Sequence, residues 1–320
     1  MIEQPLLDVR GLSTDYTAKR GGKTVRVQAV KDVSFTLAKR EVLGIVGESG
    51  CGKTSVGRSI IRLAKPHRGE VIFSGKDIFT TGGDALKQLR LKIRMVFQDP
   101  FASLNPRRSI GDSIAETGDI HGLFASKAER HRQVQQALSN VGLDGSFAAR
   151  YPHELSGGQR QRVGIARAIL PAPDVVIADE AVSALDVSVQ AQVLNLLADL
   201  RESMGLSMIF ISHDLGVVGQ ISDRVAVMYM GRIVETAPTA SIIEQPIHPY
   251  TRTLMAARPK PDPRIRIKAG IEIGEPPSQF ERPAGCPYAK RCPLVTTICT
   301  TDDPALRTIA PGRLVACHNV

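Results

Sequence analysis

Tryptophan is absent and aromatic residues make up only 4% of the 320 residues, which leaves little surface on which nucleic-acid bases could stack. No stretch approaches the roughly eighteen uninterrupted apolar residues of a membrane-crossing helix. The opening MIEQPLLDVR lacks the basic and apolar regions of a secretion signal, so the expected site of action is inside the cell. Cysteine is sparse, five in all, and disulfides are not expected in that compartment. What remains is a globular composition, 42% hydrophobic and 23% charged, on a chain long enough for two domains or one domain with an appendage. The net charge of +9 gathers at Arg90, Lys92 and Arg94, at Arg107 and Arg108, and at Arg264, Arg266 and Lys268. Without interleaved aromatics these clusters read as solvated faces, or as contacts with lipid head groups or a membrane partner, rather than as a nucleic-acid surface.

The densest chemistry lies at residues 41–55, EVLGIVGESGCGKTS, where an apolar run breaks into a glycine-rich loop followed by a lysine and two hydroxyls. Gly47, Gly50 and Gly52 remove the side chains that would hold backbone N–H groups away from an anion, and the next helix turns its positive dipole end toward the loop. That arrangement suits a nucleotide polyphosphate. Gly47, Gly52, Lys53 and Thr54 match the pattern G-x-x-x-x-G-K-[ST] in full. Glu48, Ser49, Cys51 and Ser55 complete the nucleotide-binding stretch, Lys53 would reach the terminal phosphates, and Thr54 would place its hydroxyl on a bridging magnesium ion. The alternative, an ordinary glycine loop, fits the flanking strand-like and helix-like runs poorly.

Along the chain, residues 6–9 and 30–37 alternate as antiparallel strands around a Lys/Gly-rich turn at 19–23. Tyr16 in that excursion is either ordinary surface or a platform for an adenine ring, and spacing does not choose. Residues 69–73 and 93–97 read as strands, the second running into Gln98. From there to about Tyr151 helical spacing takes over at 109–116 and 127–141, interrupted at Asn105-Pro106, Gly118 and Gly122. Leu155-Ser156-Gly157-Gly158-Gln159 then precedes a helical run at 160–170, with Ser156 placed as an N-cap and the two glycines leaving backbone donors open to a second anion. Pro171 and Pro173 end that helix, and the apolar strand 175–178 ends in Asp179-Glu180. Two adjacent carboxylates can be a solvated strand end, but a buried strand directly before them favours a functional pair.

The ordered set of phosphate loop, Gln98, LSGGQ, Asp179-Glu180, Ser183-Ala184-Leu185-Asp186 and His213 resembles the ATP-binding cassette (ABC) ATPases. FQDPFASLNPR (97–107), ALDVSVQ (184–190), HPYTRTLMAARPKPDP (248–263) and the cysteine-bearing end narrow the resemblance to the ATPase subunits of oligopeptide and dipeptide importers. It covers nearly the whole chain. It implies an α/β fold: a P-loop ATPase core with an antiparallel β subdomain (1–98 and 163–250), a helical subdomain (99–162) and a small Cys-rich extension (251–320). Three departures stand out. Ala181-Val182 replace a usual Pro-Thr, Arg40 replaces a glycine before Glu41, and Thr54-Ser55 invert the usual order.

By the same resemblance, Asp179 would hold magnesium with Thr54, and Glu180 would polarise the attacking water. Gln98 would touch both metal and water, and His213 would contact the γ-phosphate. Ser156, Gly157, Gly158 and Gln159 would close over the ATP of a second, identical or homologous ATPase subunit in a head-to-tail dimer, and Asp186 would be a further nucleotide-binding residue. The segment 98–105 would face a helix of one of two transmembrane permease subunits, with an extracytoplasmic solute-binding protein completing the complex. The chain would then be peripheral, on the cytoplasmic face of the cell membrane, driving uptake of peptides, or alternatively of nickel, glutathione or another small solute. A soluble cassette acting on nucleic acid lacks the coiled-coil insertion or second cassette usual for that class. The spacing of Cys286, Cys292, Cys299 and Cys317 leaves metal binding and four unrelated thiols equally open. The resemblance implies a 4Fe–4S cluster on these four, with His318 as an alternate ligand.

Overall fold

The computed structural model describes residues 4–257 and 283–320. The basic cluster at Arg264, Arg266 and Lys268 and the end of the 248–263 motif lie outside the described residues. The chain forms two compact units, one of Met1–Leu6, Leu37–Val42 and Ser74–Ile211, the other of Leu7–Thr36, Leu43–Phe73 and Ser212–Val320. The helical stretch 99–162 falls wholly in the first unit.

In the first unit three strands, Ile93–Val96, Val175–Asp179 and Ser207–Ser212, run parallel, with Val96 opposite Ala178 and Asp179 opposite Ile211. VVIAD and SMIFIS are buried at every position, as expected of parallel strands covered on both faces. Around them lie Gly83–Lys92, Ile110–His121, Lys127–Asn140, Gly157–Ile169 and the longest helix, Val187–Met204. The last buries Val193, Leu194, Leu196, Leu197 and Leu200 at helical spacing and ends at Gly205 with φ of 66°. The sequence spacing predicts a break at Gly118 after the helical run 109–116. Ile110–His121 instead runs through Gly118 and stops at Gly122, whose φ is 63°. A Cβ on Gly118 would lie 2.1 Å from Phe124 Cζ, so this glycine admits a ring against the helix rather than ending it.

In the second unit Leu7–Arg20, Lys23–Leu37 and Arg68–Phe73 form an antiparallel sheet, with Leu7 opposite Phe73. The hairpin strands are far longer than the alternation at 6–9 and 30–37 had marked. The strand Val42–Val46 runs parallel to Arg224–Tyr229, which pairs antiparallel with Arg232–Pro238, and Arg313–Val315 adds to that edge. Helices Lys53–Ile60, Leu215–Ile221, Thr239–Glu244 and Pro249–Ala256 belong here.

Arg40 takes the positive φ, 60°, that its missing glycine would have given. Its N–H donates to Ser207 Oγ at 2.8 Å and its carbonyl accepts Arg201 Nε at 3.0 Å, which holds a conformation an arginine otherwise resists. The basic clusters are partly consumed inside the fold. Arg94 donates to Thr117 Oγ1 at 2.7 Å, and burial pushes its guanidinium down to about 10. Arg108 pairs with Glu116.

Candidate functional site

The phosphate loop grows out of Val42–Val46, an apolar strand buried at all five positions. Its glycines are required by contact as well as by conformation. A Cβ on Gly47 would meet Met228 O at 2.1 Å, and one on Gly52, at φ of 106°, would meet Ala29 O at 2.3 Å. The loop is closed by Cys51 N–H to Glu48 O at 3.2 Å and tied down by Gly231 N–H to Cys51 O at 2.7 Å. The helix Lys53–Ile60 starts on Gly52 with no side-chain cap and no acidic residue in its first turn. An N-terminus of this kind is built to receive an anion from outside the chain.

Lys53 is 3% exposed and folds back to donate to Gly47 O at 2.8 Å and Glu48 O at 3.0 Å. Its ammonium is thereby held over the loop. Thr54 and Ser55 stand half-buried in the first helical turn, inside the helix rather than before it, while Ser49 and Gly50 are exposed. The Cys51 thiol is buried, and burial pushes it up to about 11, so it packs as a neutral group. Glu48 is held from two directions. Its N–H donates to Tyr250 Oη at 2.9 Å, and its carboxylate accepts both Nη atoms of Arg291 at 2.8 and 2.9 Å.

In the same unit Tyr16 is 39% exposed on Leu7–Arg20. His213 is exposed just after the strand Ser207–Ser212, followed by Asp214, whose carboxylate caps Leu215–Ile221 by accepting Gly216 N–H at 2.6 Å.

In the first unit the parallel register carries Gln98 and Glu180 to adjacent strand ends. Gln98 Nε2 donates to Glu180 Oε2 at 2.8 Å. Asp179, 1% exposed, is the last residue of its strand. Glu180 then takes φ of 45°, with its N–H on Ile211 O at 2.9 Å and its carbonyl accepting Ser183 N–H and Oγ at 3.1 and 3.0 Å. A positive φ at a non-glycine residue costs free energy and concentrates where side-chain direction matters. Ala181 and Val182, the departures from Pro-Thr, are each 2% exposed and anchor this turn in the core.

Ser156 and Gln159 form a capping box on Gly157–Ile169. Ser156 Oγ accepts Gln159 N–H at 3.3 Å, and Gln159 Oε1 accepts Ser156 N–H at 2.9 Å. The Gln159 donor is therefore spent within the chain, which narrows the sequence expectation that the helix start is left open. The helix also begins three residues earlier than the run at 160–170, on the glycines themselves. A Cβ on Gly158 would sit 2.5 Å from Val189 Cγ1. Asp186 is exposed at the start of Val187–Met204 and makes no cap hydrogen bond. A cavity of about 250 Å³ is lined by Gln98, Glu180, Phe101, Gly157, Gln161 and Leu185, so the carboxylate pair and the LSGGQ glycine border one space.

Cys286, Cys299 and Cys317 are buried, Cys292 is half-buried and none forms a disulfide. Burial pushes Cys286 up to about 11, and Cys299, Cys292 and Cys317 add to that push. Cys286 N–H also donates to Cys299 O at 2.8 Å. Among the described residues, no group of three or more His, Cys, Asp or Glu is gathered to hold a single metal ion. His318 Nε2 faces Asp302 O at 3.0 Å.

Neither Tyr250 nor Arg291 is visible as a site residue in the sequence. They lie 202 and 243 positions from Glu48, and their only local signal is membership of the 248–263 motif and of the cysteine-bearing end.

Comparison with known proteins adds the following. The ABC transporter family profile matches residues 30–183, and that of the oligopeptide/dipeptide transporter C-terminal region matches 234–299. A Brucella ovis protein provisionally named a peptide import ATP-binding protein is 48% identical over 317 residues, 99% of this chain and 98% of its own. The oligopeptide transport ATP-binding protein AppF of Bacillus subtilis is 47% identical over 322 residues, again 99% and 98%. Among solved structures, the cassette MJ0796, a dimer in a post-hydrolysis state bound to ADP and Pi, superposes with a TM-score of 0.65 at 28% identity. That likeness covers 73% of this chain and 98% of the other.

Proposed function

The chain belongs to the ABC transporter family, as an ATP-hydrolysing subunit of the peptide-import kind, and on that premise we propose how its residues divide the work. The single observation that carries the proposal is the Gln98–Glu180 contact at 2.8 Å, on the rim of the cavity that Gly157 shares. Glu180, turned by its positive φ, polarises the water that attacks the γ-phosphate, and Gln98 aligns that carboxylate. The loop N–H groups and Lys53 cradle the phosphates, His213 contacts the γ-phosphate, and Tyr16 offers its ring to the adenine. Magnesium, when bound, would neutralise phosphate charge, and Thr54, Asp179 and Gln98 are the residues that would hold it.

Ser156, Gly157, Gly158, Gln159 and Asp186 serve the ATP held by a second cassette, so the two subunits pair head to tail around their nucleotides. The capping box suits this role because it fixes Ser156 and Gln159 before a partner arrives. Hydrolysis removes contacts that hold the pair together, and that change drives the permease. Phe101, 59% exposed under the Arg160 guanidinium, gives the segment 98–105 an apolar knob for a permease helix. No helix among the described residues is long and apolar enough to cross a membrane, so attachment to the cytoplasmic face of the cell membrane falls to those permease subunits. An extracytoplasmic binding protein delivers the solute.

Cys286, Cys292, Cys299 and Cys317 hold a 4Fe–4S cluster in this reading. The burial of Cys286, Cys299 and Cys317 and the reduced, unpaired state of all four thiols are what this reading draws on.

Purification of the chain with its membrane partners tests the assignment. Peptide-loaded binding protein is expected to raise ATP turnover several-fold over unloaded protein. Stimulation by nickel chelates and not by peptides would transfer the assignment to nickel uptake.

A further inference from the structure

The cysteine-bearing segment does more than close the fold, because one of its side chains ends on the phosphate loop. Arg291 immediately precedes Cys292 and its side chain is only 4% exposed. Both Nη atoms are committed to the Glu48 carboxylate, and Nη1 also reaches Tyr229 Oη at 3.3 Å. Arg291 Nε is buried without a hydrogen-bond partner among the described residues, so the forked bond to Glu48 is what compensates this buried charge. Tyr229 and Tyr288 flank the guanidinium, each ring centroid within 5.7 Å of its Cζ.

The other hand on Glu48 comes from Tyr250, whose ring packs on Tyr229 and Tyr288 at 4.6 and 5.4 Å. The backbone and side chain of one loop residue are thus fixed by Tyr250 and Arg291, both far along the chain.

The electrostatic consequence is specific. Glu48 is an anion set in a loop whose other features, Lys53 and the bare helix start, serve to attract anions. Unpaired, its carboxylate would repel a polyphosphate and compete for the same donors. Paired, it is neutralised and turned toward Arg291.

We propose that Arg291 is a positioning residue of the nucleotide site, acting through Glu48, so that nucleotide affinity depends on the docked cysteine-bearing segment. This rests on the nucleotide-binding role of the loop and adds to it a residue from outside the loop. A chain lacking only Arg291 would keep every loop residue and still bind nucleotide poorly.

The test is MgATP binding by the full-length chain at two salt concentrations, for wild type, Arg291→Ala, Arg291→Lys, Glu48→Gln and the double variant Arg291→Ala with Glu48→Gln. Arg291→Ala is expected to weaken binding about ten- to a hundredfold, the usual span of a coupling between sites. Arg291→Lys, which keeps the charge and loses the fork, should fall between it and wild type. The double variant should bind within about threefold of Glu48→Gln alone, because the carboxylate that needed pairing is gone. Raising salt should shrink the Arg291→Ala defect, and in turnover assays KM should rise far more than kcat falls.

Unchanged affinity in Arg291→Ala would overturn the proposal. So would a double variant as weak as Arg291→Ala, or a defect insensitive to salt and confined to kcat, since either marks simple loss of folded protein. Failure of the wild type itself to bind MgATP would instead strike the nucleotide-site reading.

Discussion

Glu180 illustrates what a residue's chemistry owes to its backbone. Its place after a buried strand is visible in the sequence, but its φ of 45° is not. Only the structure shows the carboxylate swung against Gln98. Glu180→Gln should retain MgATP binding and lose hydrolysis by roughly a hundred- to a thousandfold, the cost of one preorganised catalytic group. Near-normal turnover in the purified, partner-bound variant would remove Glu180 from that role. Gly47 makes a second case. Alanine there must displace the Met228 carbonyl from 2.1 Å, so Gly47→Ala should destabilise the loop by about 1–3 kcal/mol and abolish nucleotide binding. Gly164, inside Gly157–Ile169 with nothing within 4 Å of its Cβ position, should behave oppositely, with Gly164→Ala stabilising by about 0.5–1 kcal/mol in thermal unfolding. The loop's chemistry was legible because its pattern is local. The Glu48–Arg291 pair was not, because 243 positions separate its members.

Among elements, the parallel strands were plain in the sequence, since full burial on both faces writes an unbroken apolar run. The hairpin Leu7–Arg20 and Lys23–Leu37 was only half legible: the stretch 13–24 around its turn is mostly polar and shows little apolar alternation. The strands near the C-terminus, Arg307–Ala310 and Arg313–Val315, are too short for a period to show. The helix Pro249–Ala256 carries an acid-sensitive joint. His248, 2% exposed, caps it by accepting Tyr250 N–H on Nδ1 at 3.0 Å, and burial lowers its imidazole to about 4. Between about 4 and the ordinary value near 6.5 the unfolded chain binds the extra proton and the folded one does not, so stability rises with pH across that window. This contribution is full above about pH 6.5 and is lost as pH falls toward 4, on the order of 3 kcal/mol at most. Thermal unfolding of wild type from pH 7.5 to 4.5 should show this slope, and His248→Asn, which can still cap, should flatten it.

For the whole molecule, the segment 283–320 is integral to its unit. Asp303 pairs with Lys31 at 2.9 Å and with Arg232, and Ala316 N–H donates to Val234 O at 2.8 Å. Anaerobically purified protein should carry about four irons per chain with broad visible absorbance, and joint replacement of Cys286 and Cys292 by Ser should remove both. Iron-free, colourless protein from anaerobic preparation would leave four structural thiols. The central claim is that ATP hydrolysis at Glu180 powers peptide import, and uptake of labelled peptide tests it most directly. In vesicles holding the complete transporter with ATP on the cassette side and loaded binding protein opposite, the wild-type chain should accumulate peptide. The Glu180→Gln chain should bind ATP without accumulating it. Equal accumulation by both chains, or none by the wild type while ATP turns over, would contradict the account.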